Sequence, residues 1–208
     1  MITAQKSQWF ESLFLAYTRN LFWRRFHELK ITGLENLRTR DKNLPLVLYA
    51  NHSSWWDPLV AFVISQNAGL DAFAMMEEKN LRRLKFFRRI GAFSVIRENP
   101  REAVKSIRYA VELLKEKPNR AVWVFPQGEI QPNSIRPLKF YNGAAKIIQQ
   151  TSKCLAAPIA MRYEFLENFK PVAFAHVGEA KFYEGIINVK DLTSHMEESL
   201  MMLLENLR

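Results

Sequence analysis

The sequence predicts an α/β fold, because short apolar runs typical of buried strands alternate with segments of helical spacing. Residues 46–49 and 120–125 are runs of the first kind, rich in β-branched and aromatic side chains. Residues 100–117 are a segment of the second kind, with one apolar stripe formed by Val104, Ile107, Val111 and Leu114. Polar residues follow both apolar runs. In α/β folds, ligands and catalytic groups collect where the strands end.

The same two patterns predict the remaining strands and helices along the chain. Further strands are predicted at residues 30–34, 71–76, 91–97, 155–161 and 173–177. Further helices are predicted at residues 7–29, 59–64, 81–90, 142–148 and 193–207. We expect Thr193 or Ser194 to cap the last helix, and residues 38–43 to form a polar loop.

The composition narrows the class of protein. With 208 residues, 48% of them apolar, the chain fits one domain with a sizeable core. The single cysteine, Cys154, excludes an internal disulfide. The net charge of +9 indicates an acidic partner, whether nucleic acid, anionic lipid or a phosphorylated substrate. Long apolar stretches are lacking and charged residues begin at Lys6, so we expect neither a membrane-spanning helix nor a secretory signal.

Two predicted helices combine basic and bulky apolar residues. In residues 7–29, aromatic side chains recur at helical spacing and arginines cluster towards the end. In residues 81–90, apolar residues recur at every third position between cations. Such helices can lie in a membrane interface. The alternative is that the first packs on the protein's own core and the second presents a solvated charged face.

The turn after the strand at residues 46–49 carries a candidate catalytic pair. His52 can take up a proton near neutral pH, and Asp57, five positions later, can hold the other ring nitrogen and stabilise the imidazolium. This spacing suits a turn rather than one face of a helix. The alternative is structural: Asp57 as an N-cap before Pro58, with His52 outside the chemistry. Ser53 and Ser54 lack the G-x-S-x-G elbow of a nucleophile.

Two further strand ends offer groups for an anion. Arg97 ends one strand and can clamp a phosphate or carboxylate bidentately, with a surface ion pair as the alternative. Gly128, in the loop after residues 120–125, allows close approach of a ligand to the backbone. The other histidines lack the spacing of metal ligands, so we expect no metal.

Four segments, in this order, resemble the motifs of the glycerolipid acyltransferase family, the lysophosphatidate acyltransferase or PlsC-like group. Residues 51–58, N-H-S-S-W-W-D-P, resemble the motif N-H-x-S-x-x-D, in which four residues separate histidine and aspartate. Residues 91–97 are similar to the second motif, which begins with glycine and ends with arginine. Residues 125–128, F-P-Q-G, resemble the third, F-P-E-G, and residues 157–159 the proline-centred fourth.

The resemblance implies a central mixed sheet flanked by helices, and transfer of a fatty acyl group from acyl-CoA or acyl-carrier protein to a lipid hydroxyl. It implies His52 and Asp57 as the catalytic pair, and a substrate-binding set of Arg97, Phe125, Pro126, Gln127, Gly128 and Glu129. The Gly128 backbone is expected to hold the head group or the developing oxyanion. No cofactor is expected beyond the acyl donor. We expect residues 1–30 to form an N-terminal amphipathic, membrane-docking helix and residues 31–208 the acyltransferase domain.

The chain departs from the family pattern at Gln127, where glutamate is usual, and at Glu129, where threonine or serine is usual. A neutral Gln127 cannot pair with Arg97 as a carboxylate would. The expected acceptor is 1-acylglycerol-3-phosphate, in phospholipid biosynthesis at the cytoplasmic face of a membrane. The alternatives are a glycolipid, aminolipid or terpenoid acceptor, hydrolysis by a lipid thioesterase, and a basic membrane- or nucleic-acid-binding module without catalysis. Nucleic acid is not the expected partner, because no helix-turn-helix, zinc-finger or RNP pattern is present.

Overall fold

In the computed structural model, which describes residues 1–207, eight strands form one mixed sheet. The strands are β1 (Glu28–Thr32), β2 (Leu46–Ala50), β3 (Asp71–Glu77), β4 (Ala92–Val95), β5 (Arg120–Val124), β6 (Lys153–Glu164), β7 (Val172–Val177) and β8 (Lys181–Glu184). Their order is β1-β7-β6-β2-β5-β3-β4, with β8 paired to β6. From β6 to β4 all neighbours are parallel, whereas β7 and β8 run antiparallel to β6. The predicted central mixed sheet is confirmed.

Helices cover both faces of this sheet. They are α1 (Gln8–Arg25), α2 (Glu35–Arg38), α3 (Asp57–Asn67), α4 (Glu78–Arg83), a 3-10 helix (Lys85–Ile90), α5 (Pro100–Glu116), α6 (Gly143–Thr151) and α7 (Val189–Glu205). One apolar cluster joins the sheet to α1 and α3, and another joins its opposite face to α5, α6 and α7. Burial on both faces explains why β2 and β5 are continuous apolar runs.

The N-terminal segment covers the edge strand β4. The N–H of Ser94 donates to the carbonyl of Ile2 at 2.8 Å, and the Ile2 N–H donates to the Ser94 hydroxyl at 2.6 Å. Because an uncovered strand edge invites pairing with other chains, this contact protects the sheet. The segment then leads into α1, which lies across α3.

Helix α1 has two different faces. Phe14 is buried against Phe62 of α3 and Phe87 of the 3-10 helix. The outer face exposes large side chains to solvent: Trp9, Leu13, Tyr17 and Trp23. The inner face of α1 therefore packs on the core, as one alternative predicted. Its outer face is open to solvent, as the membrane-interface alternative requires. None of the helices within residues 1–207 is both long and apolar enough to cross a membrane.

The predicted helix at residues 81–90 is wrong as a single element. The structure has α4 and the 3-10 helix on either side of Leu84, whose φ of −113° and ψ of 57° break the α-helical path. The apolar period of three seen in the sequence matches the three residues per turn of a 3-10 helix better than the 3.6 of an α-helix. The apolar spacing in the sequence was therefore already typical of a 3-10 helix.

Smaller differences lie elsewhere in the chain. The first helix, predicted to residue 29, ends at Arg25, and the strand predicted from residue 30 begins at Glu28, where it pairs with β7. The predicted cap of the last helix is wrong, since Asn188 accepts the N–H of Lys190 and Thr193 lies inside the helix. The short elements α2 and β8 were not predicted, because four residues are too few to show a period.

Asn51 extends the pairing of β2 with β6 beyond the end of β2. Its side-chain oxygen accepts the N–H of Met161 at 2.8 Å, and its Nδ2 donates to the Met161 carbonyl at 2.9 Å. The buried side-chain amide thus takes the place of a peptide group in the ladder. The main chain is then free to turn away into the segment that carries His52.

We expect Asn51→Asp to lower the free energy of unfolding by about 1–3 kcal/mol, because a buried carboxylate oxygen would face the Met161 carbonyl without a proton between them. Urea unfolding followed by circular dichroism measures this loss. The matched control, Asn20→Asp on the exposed face of α1, should stay within about 0.5 kcal/mol of the parent. Equal losses in both variants would contradict the role assigned to Asn51.

Candidate active site

The turn between β2 and α3 brings His52 and Asp57 together. His52 Nδ1 lies 2.8 Å from Asp57 Oδ2, and the Asp57 carboxylate is completely buried. The same oxygen accepts the main-chain N–H groups of Ser53 at 2.6 Å and Ser54 at 2.8 Å. Asp57 is the first residue of α3 and Trp56 occupies the cap position. The structural alternative, Asp57 as an N-cap, is therefore wrong, because its carboxylate turns back towards the preceding turn.

Tyr163 supplies a fourth donor to this carboxylate. Its hydroxyl donates to Asp57 Oδ1 at 2.6 Å from the far end of β6. Burial, together with the nearby charge of Asp57, raises the pKa of Tyr163 well above its ordinary value, so the phenol keeps its proton and remains a donor. Four donors offset the cost of burying the charge. Sequence reasoning missed Tyr163, because 106 positions separate it from Asp57.

Only one of the two ring nitrogens of His52, Nδ1, has a hydrogen-bond partner among residues 1–207. When Nδ1 carries the proton that it donates to Asp57, Nε2 presents a lone pair. No group within residues 1–207 hydrogen-bonds Nε2, and the side chain is 18% exposed at the wall of a cavity. The Phe125 ring packs beside the imidazole, with 4.7 Å between centroids. The arrangement can take a proton from a bound hydroxyl.

The loop after β5 holds the main chain of His52 on both sides. The His52 N–H donates to Gln127 Oε1 at 2.7 Å, and the His52 carbonyl accepts the N–H of Gln131 at 2.8 Å. Gln127 Nε2 also donates to Gln131 Oε1. Gln127 is buried behind the histidine and makes its hydrogen bonds there, not with Arg97. Its side chain is therefore suited to positioning His52.

Arg97 lies against Gly128 and Tyr141. Its guanidinium carbon is 5.6 Å from the centroid of the Tyr141 ring. Gly128 has a φ of +74°, and a Cβ on it would lie 2.2 Å from Arg97 Nη1, so only glycine permits this approach. The one acid within reach among residues 1–207 is Glu98, at 4.0 Å. Most of the guanidinium donors therefore remain available to an anion.

The Gly128 N–H does not have the role expected of it. It donates to the carbonyl of Phe125 at 2.9 Å and so closes the loop on itself. It is therefore not a free donor for a head group or an oxyanion. The structural requirement for glycine here comes from the φ of +74°, and glycine also leaves room for the Arg97 guanidinium.

One cavity of about 540 Å³ joins these groups. Its wall includes His52 and five residues of the predicted substrate-binding set: Arg97, Phe125, Pro126, Gly128 and Glu129. Gln127 lies behind that wall. The remaining lining is mostly apolar and comes from α3, β3, the 3-10 helix and β5, as with Ala61, Phe62, Ala74, Phe87 and Trp123. A mostly apolar wall with a few polar groups suits an amphipathic ligand.

Other reactive groups stand apart from this chemistry. The Ser53 hydroxyl is buried without a partner among residues 1–207, and the Ser54 hydroxyl accepts the Trp56 N–H; neither bonds the imidazole. Cys154 is buried, and burial raises the pKa of its thiol to about 12. Within the described residues, no three His, Cys, Asp or Glu side chains form a group that could hold a metal.

Comparison with known proteins identifies related sequences and structures. A curated 1-acyl-sn-glycerol-3-phosphate acyltransferase of Streptococcus pneumoniae (strain ATCC BAA-255 / R6) is 28% identical over 158 residues, which are 72% of this chain and 54% of that protein. The chain thus spans about half the length of that relative. The crystal structure of the 1-acyl-sn-glycerophosphate (LPA) acyltransferase PlsC from Thermotoga maritima has the same fold. It matches with a TM-score of 0.70 at 18% identity, covering 95% of this chain and 80% of that one.

The model of the Acyltransferase family matches residues 28–162. This range contains His52, Asp57, Arg97 and the loop after β5, so the family match covers the residues that the structure brings together. The resemblance to the glycerolipid, PlsC-like group is confirmed. The chain belongs to the Acyltransferase family.

Proposed function

We propose that this protein transfers a fatty acyl group from an acyl thioester to the hydroxyl of a membrane lipid, with 1-acylglycerol-3-phosphate as acceptor. The donor is carried by coenzyme A or acyl-carrier protein. The observation that carries the proposal is the open Nε2 of His52, in an imidazole held by buried Asp57, at the wall of a cavity shared with Arg97. The mostly apolar interior of that cavity fits an acyl chain.

The chemistry follows from the His52–Asp57 pair. Nε2 takes the proton of the acceptor hydroxyl as its oxygen attacks the thioester carbonyl, and Asp57 stabilises the imidazolium that forms. When the tetrahedral intermediate collapses, the C–S bond breaks and the thiolate takes the proton from Nε2. The products are an ester and a free thiol. No acyl-enzyme is needed, and neither serine hydroxyl contacts the imidazole.

Arg97 binds the phosphate of the acceptor in this proposal. A guanidinium presents paired donors that match phosphate oxygens, and stacking on Tyr141 fixes its plane. The absence of a side chain on Gly128 leaves room for the guanidinium at the wall of the cavity that contains His52. In this proposal the acceptor hydroxyl reaches Nε2 while the phosphate is bound by Arg97.

We also propose that the protein is a peripheral membrane protein at the cytoplasmic face. The support is the exposed apolar face of α1, which carries Trp9, Tyr17 and Trp23 and ends in Arg24 and Arg25. Aromatic side chains beside cations favour the interface of an anionic bilayer. A lipid acceptor and a lipid product would both reside there.

A second candidate is the same reaction on a phosphate-free acceptor, such as a glycolipid, an aminolipid or a terpenoid alcohol. It is favoured by Glu129, whose carboxylate stands at the cavity wall, since a carboxylate repels phosphate and accepts from hydroxyl or ammonium groups.

Replacing His52 tests the proposed reaction. Purified protein with acyl-CoA or acyl-carrier protein and lysophosphatidate should release free thiol, and His52→Ala should reduce the rate about 10²–10⁴-fold through loss of the general base. His195→Ala, an exposed histidine on α7, is the matched control and should keep its rate. Equal rates in the parent and His52→Ala would contradict the proposal. Release of free fatty acid without formation of acylated lipid would indicate a thioesterase. Salt-dependent binding of polyanions without any turnover would indicate a binding module.

Replacing Arg97 tests how the acceptor is held. Arg97→Ala should raise KM for lysophosphatidate about 10–100-fold, the factor expected when a charged hydrogen-bond donor is lost, and leave KM for the acyl donor nearly unchanged. Arg101→Ala, exposed on α5, is the control. Equal effects on both substrates would make Arg97 structural. Efficient turnover of a phosphate-free acceptor, unaffected by Arg97→Ala, would support the second candidate.

Replacing Gln127 tests its position behind His52. Gln127→Glu keeps an oxygen for the His52 N–H but adds a negative charge next to the main chain of His52. That charge favours the protonated imidazole, which cannot act as a base, so the acid limb of the kcat/KM profile should move to higher pH. Gln150→Glu, exposed on α6, should leave the profile in place. A shift towards lower pH, or none, would argue against this geometry.

A further inference from the structure

The loop between β6 and β7, residues 165–171, projects from the same edge of the sheet as His52. Strand β6 runs parallel to β2, with Ile159 opposite Ala50, and continues to Glu164. The loop therefore begins beyond the level at which β2 ends and the catalytic turn starts. Its apolar side chains Phe165, Leu166 and Phe169 point away from the core, and Phe169 is fully exposed.

This exposure is unusual for the tip of a connection between strands. Such tips normally carry Gly, Pro, Asn, Asp or Ser, which satisfy the turn and remain in water. Here three of the residues 165–169 are large and apolar. A contiguous exposed apolar patch on a protein surface marks an interaction site more often than an isolated apolar residue does.

The loop is fastened to the end of α1. Lys170 Nζ donates to the Trp23 carbonyl at 3.2 Å and lies 5.9 Å from the centroid of the Trp23 ring. The His27 N–H donates to the carbonyl of Pro171 at 2.8 Å. The exposed Trp23 ring therefore stands beside the loop. The apolar surface of the loop continues into the outer face of α1.

The charge and shape of this surface favour an anionic bilayer as its occupant. Over α1 and the loop together, the four cations Arg19, Arg24, Arg25 and Lys170 outnumber the two acids Glu11 and Glu167. Phenylalanine and tryptophan beside cations are suited to the headgroup region of a membrane. An acidic carrier protein would match the positive charge of this surface. To bind the projecting apolar tip, however, a protein partner would have to offer a matching apolar pocket, whereas a bilayer accepts such a tip without one.

We propose that residues 165–169 insert into the bilayer interface as a second contact beside α1, and hold the cavity that contains His52 against the lipid surface. The inference rests on the proposed function in one respect, that the acceptor resides in a bilayer. With a single amphipathic helix on the membrane, the protein could still rotate about the axis of that helix. A second attachment at the active-site edge prevents this rotation and fixes the orientation of the cavity.

Removing the two phenylalanines tests the proposal. In sedimentation with vesicles of phosphatidylcholine and phosphatidylglycerol, Phe165→Ser/Phe169→Ser should bind about tenfold more weakly or worse. Turnover of vesicle-borne lysophosphatidate should fall with it, while turnover of a dispersed short-chain acceptor should stay at the parent level. Ile186→Ser is the matched control: Ile186 is fully exposed, but it follows β8 at the opposite edge of the sheet.

A dye on the loop gives a readout independent of turnover. Buried Cys154, with its raised pKa, does not compete for a thiol reagent, so Asn168→Cys can be labelled selectively with an environment-sensitive fluorophore. Its emission should shift to the blue on addition of the same vesicles, and that of labelled Ile186→Cys should not. A shift with acyl-carrier protein instead of vesicles would assign the loop to a protein partner and overturn the proposal.

The two proposals fail in different ways. If the parent releases no thiol with any acceptor, the proposed function is wrong, and the vesicle and dye experiments still decide the role of the loop. If the parent is active and the double serine variant binds vesicles as tightly as the parent, the loop does not dock and the proposed reaction stands.

Discussion

A buried carboxylate and its four donors organise the active-site edge of this protein. Asp57 accepts hydrogen bonds from the imidazole of His52, from two N–H groups of the turn and from the phenol of Tyr163. An ionised carboxylate is costly to bury unless such partners surround it. Since three donors come from the turn at residues 52–54 and the fourth from β6, the charge can be buried only when the turn and β6 have both reached their native positions. The geometry of the His52–Asp57 pair is thus coupled to folding at this edge.

The neighbouring strands supply the rest of the support. Asn51 joins the end of β2 to Met161 of β6, and Gln127, after β5, accepts the N–H of His52. The parallel order β6-β2-β5 brings these three carboxyl ends side by side. The histidine is therefore held through its ring, its N–H and its carbonyl. Such preorganisation reduces the motion needed to reach the transition state, which is the main contribution a scaffold makes to general-base catalysis.

The same edge combines the chemistry with the surface that would meet lipid. Arg97 lies at the wall of the cavity, and α1 and the β6–β7 loop carry exposed apolar side chains. In the proposed docking, a lipid acceptor would enter the cavity without leaving the bilayer completely, so little apolar surface would have to pass through water. The position of the cavity and the distribution of apolar surface would then serve one purpose.

Short-range patterns in the sequence were sufficient for the α/β class and for most strands and helices, and the pairing of His52 with Asp57 was implied by the resemblance of residues 51–58 to a family motif. These features depend on residues close in the chain, where spacing and turn chemistry decide the outcome. Tertiary structure alone decided that Tyr163 donates to Asp57, that Gln127 supports His52 and not Arg97, and that the Gly128 N–H is already bonded. It also decided which face of α1 is buried. Those outcomes depend on strands that meet only after the chain has folded, and no local pattern records which distant side chain will arrive there.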